Sequence, residues 1–231
     1  MMQKSDCYNF IFLGEAGCGK SEVAINTALR LASKGDKEVH FFDLDMTKPL
    51  FRSRDLNQVL KDAGVIVHFV EQFMDAPTTS GGVNRMLRDD NCYVVMDVGG
   101  DYIGARSIGG YAPAINKEKT AVFYIVNPYR PWSLDIEHVN KVFGEILTVS
   151  HIQLDKVQIL GNPNIGLGTG KEEVLRGISI LVDMITPYKP LVGLCVHENI
   201  SLDAEQARGM EIWPMHLYMS YPWADEENTL A

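Results

Sequence analysis

Apolar runs and amphipathic stretches alternate along the whole chain. Tyr8-Asn9-Phe10-Ile11-Phe12-Leu13 is a short run rich in aromatic and branched residues, the pattern of a buried strand. After it, Ala24, Thr27, Ala28 and Leu31 fall at i, i+3, i+4 and i+7, one stripe of a helix. Lys34-Gly35 then adds a cation in the last turn and a glycine stop. Further strands are predicted over residues 38–42, 65–70, 92–96, 120–126, 156–160 and 191–196. Helices are predicted over 55–63, up to about Arg88, after Pro131, over 171–185 and, briefly, near 202–207. In the helix after Pro131, Ile136, Val139, Phe143 and Ile146 share a face that reads as core packing. Residues 75–82 read as a loop by composition, and His68 as an ordinary strand residue. The tail with Trp213, Tyr218 and Trp223 is expected to pack back on the body. Strand alternating with helix implies an α/β fold: a mostly parallel sheet of about seven strands, helices on both faces.

The link between the first strand and the first helix carries chemistry. Gly14-Glu15-Ala16-Gly17-Cys18-Gly19-Lys20-Ser21 is a complete G-x-x-x-x-G-K-[ST] phosphate loop in the strand-to-helix context the motif requires. Its glycines let successive backbone N–H groups turn inward toward phosphate oxygens, and the helix adds its positive dipole end. Lys20 is placed to reach β- and γ-phosphates, and the Ser21 hydroxyl to ligate Mg²⁺. Asp43 and Asp45 close the second predicted strand, at the end where an α/β sheet holds its ligand. They suit a magnesium shell or an attacking water, or else a solvated turn before Pro49. The fourth strand ends on Asp97, placed as a carboxylate beside the loop strand. Val98-Gly99-Gly100-Asp101 follows, a segment whose glycines allow close approach to a γ-phosphate and movement when it leaves, running on to Gly109-Gly110. Lys48, Arg52 and Arg54 bring three cations near the same end, for ligand or for surface pairing. Gly166-Leu167-Gly168-Thr169-Gly170-Lys171 imitates a second phosphate loop but fails, with Ile165 and Glu172 at required positions.

Composition narrows the partners. Across 231 residues, 46% hydrophobic and 22% charged, no linker, charge block or repeat divides the chain, so one domain over 1–231 is expected. The net charge of −9 argues against nucleic acid as a partner. No apolar run approaches the ~18–20 residues that span a bilayer, and the acidic C-terminus is no membrane anchor. The N-terminus lacks a signal-peptide pattern, and Cys7, Cys18, Cys92 and Cys195 form no C-x-x-C pair; both point to the cytoplasm. Cys18 reads either as a small loop residue or as a thiol acidified by the loop's N–H groups.

Taken in order, the phosphate loop, Asp43-Leu44-Asp45, Met96-Asp97-Val98-Gly99-Gly100 and the Asn162-Pro163 turn resemble the MinD/ParA/CobQ-like P-loop NTPases of the SIMIBI class. Phe51-Arg52-Ser53-Arg54, Val98-Gly99-Gly100-Asp101 and Asn162-Pro163-Asn164 are similar to phrases of a little-characterised bacterial and archaeal subgroup. The resemblance implies a slow, Mg²⁺-dependent ATPase, commonly a homodimer, acting as a conformational switch on a protein partner. It implies that Gly14, Glu15, Ala16, Gly17, Cys18, Gly19, Lys20, Ser21 and Glu22 line the nucleotide, and that Asn162 and Pro163 lie at its base. By the same token Ser21, Asp43 and Asp97 support Mg²⁺, Asp45 positions the attacking water, and Lys20 assists. ATP is expected over GTP because no Asn-Lys-x-Asp motif occurs. Three departures stand out. Glu15 takes the place of the second loop lysine that MinD and ParA extend across their dimer, so Arg52, Arg54 or Arg106 must substitute. Val196-His197-Glu198 stands where relatives often have proline, and the cysteine pairs of metal-inserting members are missing. A small-molecule phosphotransferase or ATP-dependent ligase, and a non-hydrolysing nucleotide-binding scaffold, are the alternative readings.

Overall fold

A computed structural model describes residues 7–45, 54–69, 77–117 and 119–219. Eight strands form one sheet in the order β3-β2-β4-β1-β5-β6-β7-β8. They are β1 (Asn9–Gly14), β2 (Glu38–Leu44), β3 (Val65–Phe69), β4 (Cys92–Val98), β5 (Thr120–Val126), β6 (Val157–Gly161), β7 (Leu191–His197) and β8 (Glu211–Met215). Every neighbouring pair is parallel. The helices are α1 (Lys20–Ala32), α2 (Arg54–Asp62), α3 (Pro77–Met86), α4 (Tyr102–Ser107), α5 (Ala112–Ile115), α6 (Ile136–Ser150) and α7 (Lys171–Ile185). The α/β expectation therefore stands, with one strand more than the apolar runs suggested.

The core lies in two layers because side chains alternate across each strand. On β1, Ile11 and Leu13 join Val94, Met96 and Val122 beneath α3, α4, α6 and α7. Phe10 and Phe12 turn the other way, toward Val95, Phe123 and the α1 residues Val23, Ala24, Ala28 and Leu31. Each such side chain is worth about 1.5–3 kcal/mol when fully buried, so β1 is clamped from both faces. Its position between β4 and β5 fixes where the loop that follows it must emerge.

The unforeseen strand β8 lies at the sheet edge, which is where a strand containing Pro214 can sit without breaking an inner ladder. Trp213 meets Phe123 edge-on, with ring centroids 5.0 Å apart, so this part of the tail does pack on the body. Trp223 lies outside the described residues. Residues 77–82, read as a loop, belong to α3, which buried Val83 and the adjoining Leu87 pin to the sheet. The helix near 202–207 is instead a run of turns over 204–209, closed by left-handed Arg208 (φ 51°) and Gly209 (φ 72°). The segment after Asp97 is built as α4, whose N-cap Asp101 accepts a hydrogen bond from the Gly104 N–H at 2.7 Å.

His68 does more than fill a strand position. It stacks on Phe42 with centroids 4.4 Å apart, and its Nε2 lies 3.0 Å from His40 Nδ1. Among the described residues no helix is long and apolar enough to cross a membrane, and all four cysteines are buried.

Candidate phosphate-binding site

The loop after β1 has the shape its glycines permit. Gly14 (φ 143°), Gly17 (φ 77°) and Gly19 (φ 93°) all lie in conformations that side chains rarely adopt. A Cβ on Gly14 would stand 2.7 Å from both Cys18 Sγ and the Ile125 carbonyl oxygen. The Cys18 side chain lies under the loop, buried in the core layer that holds Phe12 and Val23. Helix α1 begins at Lys20, so its first N–H groups face the loop's hollow.

Lys20 is wholly buried, and its Nζ lies 3.3 Å from Asp45 Oδ2. Burial alone would push this ammonium down. The Cys18 sulfur, Asp97 and Asp45 more than offset that and hold it above the ordinary lysine value. The register explains the gathering of acids: Asp97 on β4 is the partner of Phe12 on β1 and of Asp43 on β2. Asp43 in turn accepts the Asp45 N–H at 3.2 Å. Ser21, Asp43, Asp45 and Asp97 are all oxygen donors, the chemistry Mg²⁺ prefers. Among the described residues no three His, Cys, Asp or Glu side chains close into a ready cation site.

The loop's flanks are braced. Asn162, at the end of β6, donates from Nδ2 to the Cys18 carbonyl at 2.7 Å. A Cβ on Gly19 would be 2.2 Å from that nitrogen. Asn162, expected at the base, thus also braces the loop. Pro163 packs over Gly177. Gly100 leaves room for nothing larger: its Cβ would lie 2.5 Å from the Ala16 nitrogen. Glu22 points away from the loop, its carboxylate accepting the N–H groups of Tyr218 (3.0 Å) and Met219 (2.7 Å). Asn26 completes the clasp, exchanging two bonds with the His216 backbone.

Of the expected cations, Lys48 and Arg52 lie outside the described residues, as does the Arg54 side chain. Arg106 is exposed on α4. Two residues that the sequence did not single out also reach the loop. Arg130 donates from Nε to the Gly17 carbonyl at 2.8 Å. His138, in the first turn of α6, places Nε2 3.0 Å from Glu15 Oε1. Burial raises the Glu15 carboxyl, and His138 pulls it back down. Both come from the connection after β5, and only the sheet order, which sets β5 against β1, brings that connection over the loop.

No protein-family model matches this chain, and no curated protein does. Solved structures do. It is similar to chloroplast FtsY from Physcomitrella patens at 17% identity and TM-score 0.53, over 89% of this chain and 65% of that one. FtsY from Mycoplasma mycoides is similar at 12% identity and TM-score 0.51, over 89% and 67%. Cell division protein FtsY from Thermotoga maritima is similar at 14% identity and TM-score 0.50, over 87% and 66%. The chain thus spans about two thirds of the length of each. What is shared is the fold, an α/β P-loop NTPase fold.

Proposed function

We propose that this chain binds a Mg²⁺–nucleoside triphosphate, ATP by preference, between β1 and α1, hydrolyses it slowly, and serves as a nucleotide-driven switch of the MinD/ParA-like kind. The observation that carries this reading is the wholly buried Lys20, held charged among Asp45 and Asp97 at the head of α1. A buried ammonium in a glycine-turned loop is otherwise expensive. Its use is to meet the β- and γ-phosphates. A triphosphate arriving in the loop competes with Asp45 for Lys20. Asp45 would then orient the water that attacks the γ-phosphorus, and Ser21, Asp43 and Asp97 would hold Mg²⁺, which would offset the charge on the phosphate oxygens. Phosphate leaves as the bond to the β–γ bridging oxygen breaks, and the nucleoside diphosphate remains. Preference for ATP rests on the missing Asn-Lys-x-Asp motif.

A homodimer and a protein partner belong to the same proposal. Tyr102, Ile103, Leu134 and Leu167 are exposed on segments that follow β4, β5 and β6, at the loop's end of the sheet. Apolar groups gathered at that end support a surface that another chain covers. Calorimetry with Mg²⁺ and ATP or GTP tests the reading. Heat is expected with ATP and none after Lys20→Ala. Silence from the native protein with both nucleotides would end it.

A further inference from the structure

With Glu15 at the position where the resembled family has its second lysine, the mouth of the loop needs a cation from elsewhere. We propose that Arg130 supplies it in cis, closing over the γ-phosphate end of a bound nucleoside triphosphate. The inference rests on the proposal that the loop binds such a nucleotide.

Its anchor is firm. Asn127, at the end of β5 and almost wholly buried, donates to the Asn164 carbonyl at 2.7 Å and accepts the Tyr129 N–H at 3.0 Å. The Arg130 N–H returns to the Asn127 carbonyl at 3.2 Å, and the Arg130 carbonyl accepts from Ser133 at 2.9 Å. Pro128 and Tyr129 press on Gly177, where an added Cβ would meet them at 3.3 and 3.0 Å. The connector's backbone is therefore set, and only the arginine side chain has freedom. Among the described residues its guanidinium makes one hydrogen bond, from Nε to the Gly17 carbonyl. The four N–H groups on its two terminal nitrogens are left to donate, over a loop whose Ala16 and Gly17 are exposed.

Charge points the same way. The bond to the Gly17 carbonyl sets a second cation against the same loop that leads into Lys20, where, as proposed, it meets the terminal phosphates. Glu15 would repel those phosphates, which makes a fixed positive charge beside it the more useful. The planar, permanently charged guanidinium is suited to two phosphate oxygens at once.

The test measures affinity by calorimetry for Mg²⁺ complexes of the non-hydrolysable imidotriphosphates of adenosine and guanosine, and for ADP and GDP. Arg130→Ala is expected to weaken triphosphate binding by about tenfold to a hundredfold, with diphosphate binding changed by no more than about threefold. Arg130→Lys should recover part of the difference. Equal loss for both ligand classes, or no loss, would show that Arg130 only braces Gly17 and would overturn the inference. Failure of the native protein to bind any of the four would overturn the site itself, a result distinct from either.

Discussion

Lys20 Nζ and Asp45 Oδ2 face each other across 3.3 Å with neither side chain more than 3% exposed. Lys20→Ala breaks this buried ion pair, and its expected cost is about 3 kcal/mol or more, read from urea midpoints at pH 7. The raised folded value of Lys20 fixes the sign of the pH effect. Its contribution is fully present below the ordinary 10.5 and is lost as pH climbs through the folded value. An unchanged midpoint in the variant would show that Asp45 needs no partner.

Gly100 sits where its added Cβ would meet backbone atoms of Ala16 and Glu15 at 2.5 and 2.8 Å. Backbone cannot step aside as a flexible side chain does. Gly100→Ala should cost about 1–3 kcal/mol and weaken nucleotide binding, because the loop must shift. Native-like affinity in the variant would mean that the loop already moves freely there.

Glu22 accepts two backbone N–H groups from Tyr218 and Met219. Hydrogen bonds to a charged acceptor are worth about 1.5–3 kcal/mol each at most. Glu22→Gln should loosen the tail while leaving the sheet intact. Limited proteolysis should then cut beyond β8 sooner than in the native protein. Equal cutting rates would assign the tail's seat to Asn26 and the Trp213 packing instead.

His68 and His40 predict an acid limb. Burial, then the neighbouring His40, pushes His68 from 6.5 down to about 4; burial also lowers His40, with Glu38 and Asp89 opposing. Between those values the unfolded chain binds more protons, so stability is full above about 6.5 and falls as pH drops toward 4. The urea midpoint should decline from pH 7 to pH 5 in the native protein, and less in His68→Phe, which keeps the stack on Phe42. Parallel declines in both would assign the limb to carboxylates.

Much of this was legible from residues alone because the signals are local. The loop motif needs eight consecutive residues, and α7 and β5 fall where periodicity put them. Asp97 was placed beside the loop strand by its strand-end position, and its register with Phe12 agrees. What escaped was what depends on sheet order. Nothing near Arg130 or His138 in the chain reveals that β5 lies against β1. The bond from the Asn162 amide to Cys18, a partner 144 positions away, has no local signal either. Strand β8 was hidden by Pro214, which an inner strand excludes and an edge tolerates.

The clasp between Glu22 and Met219 joins positions 197 apart. Contacts this distant along the chain form late, because the loop they close is long. The helix that heads the phosphate loop therefore gains this brace only once the chain between the two positions has been gathered.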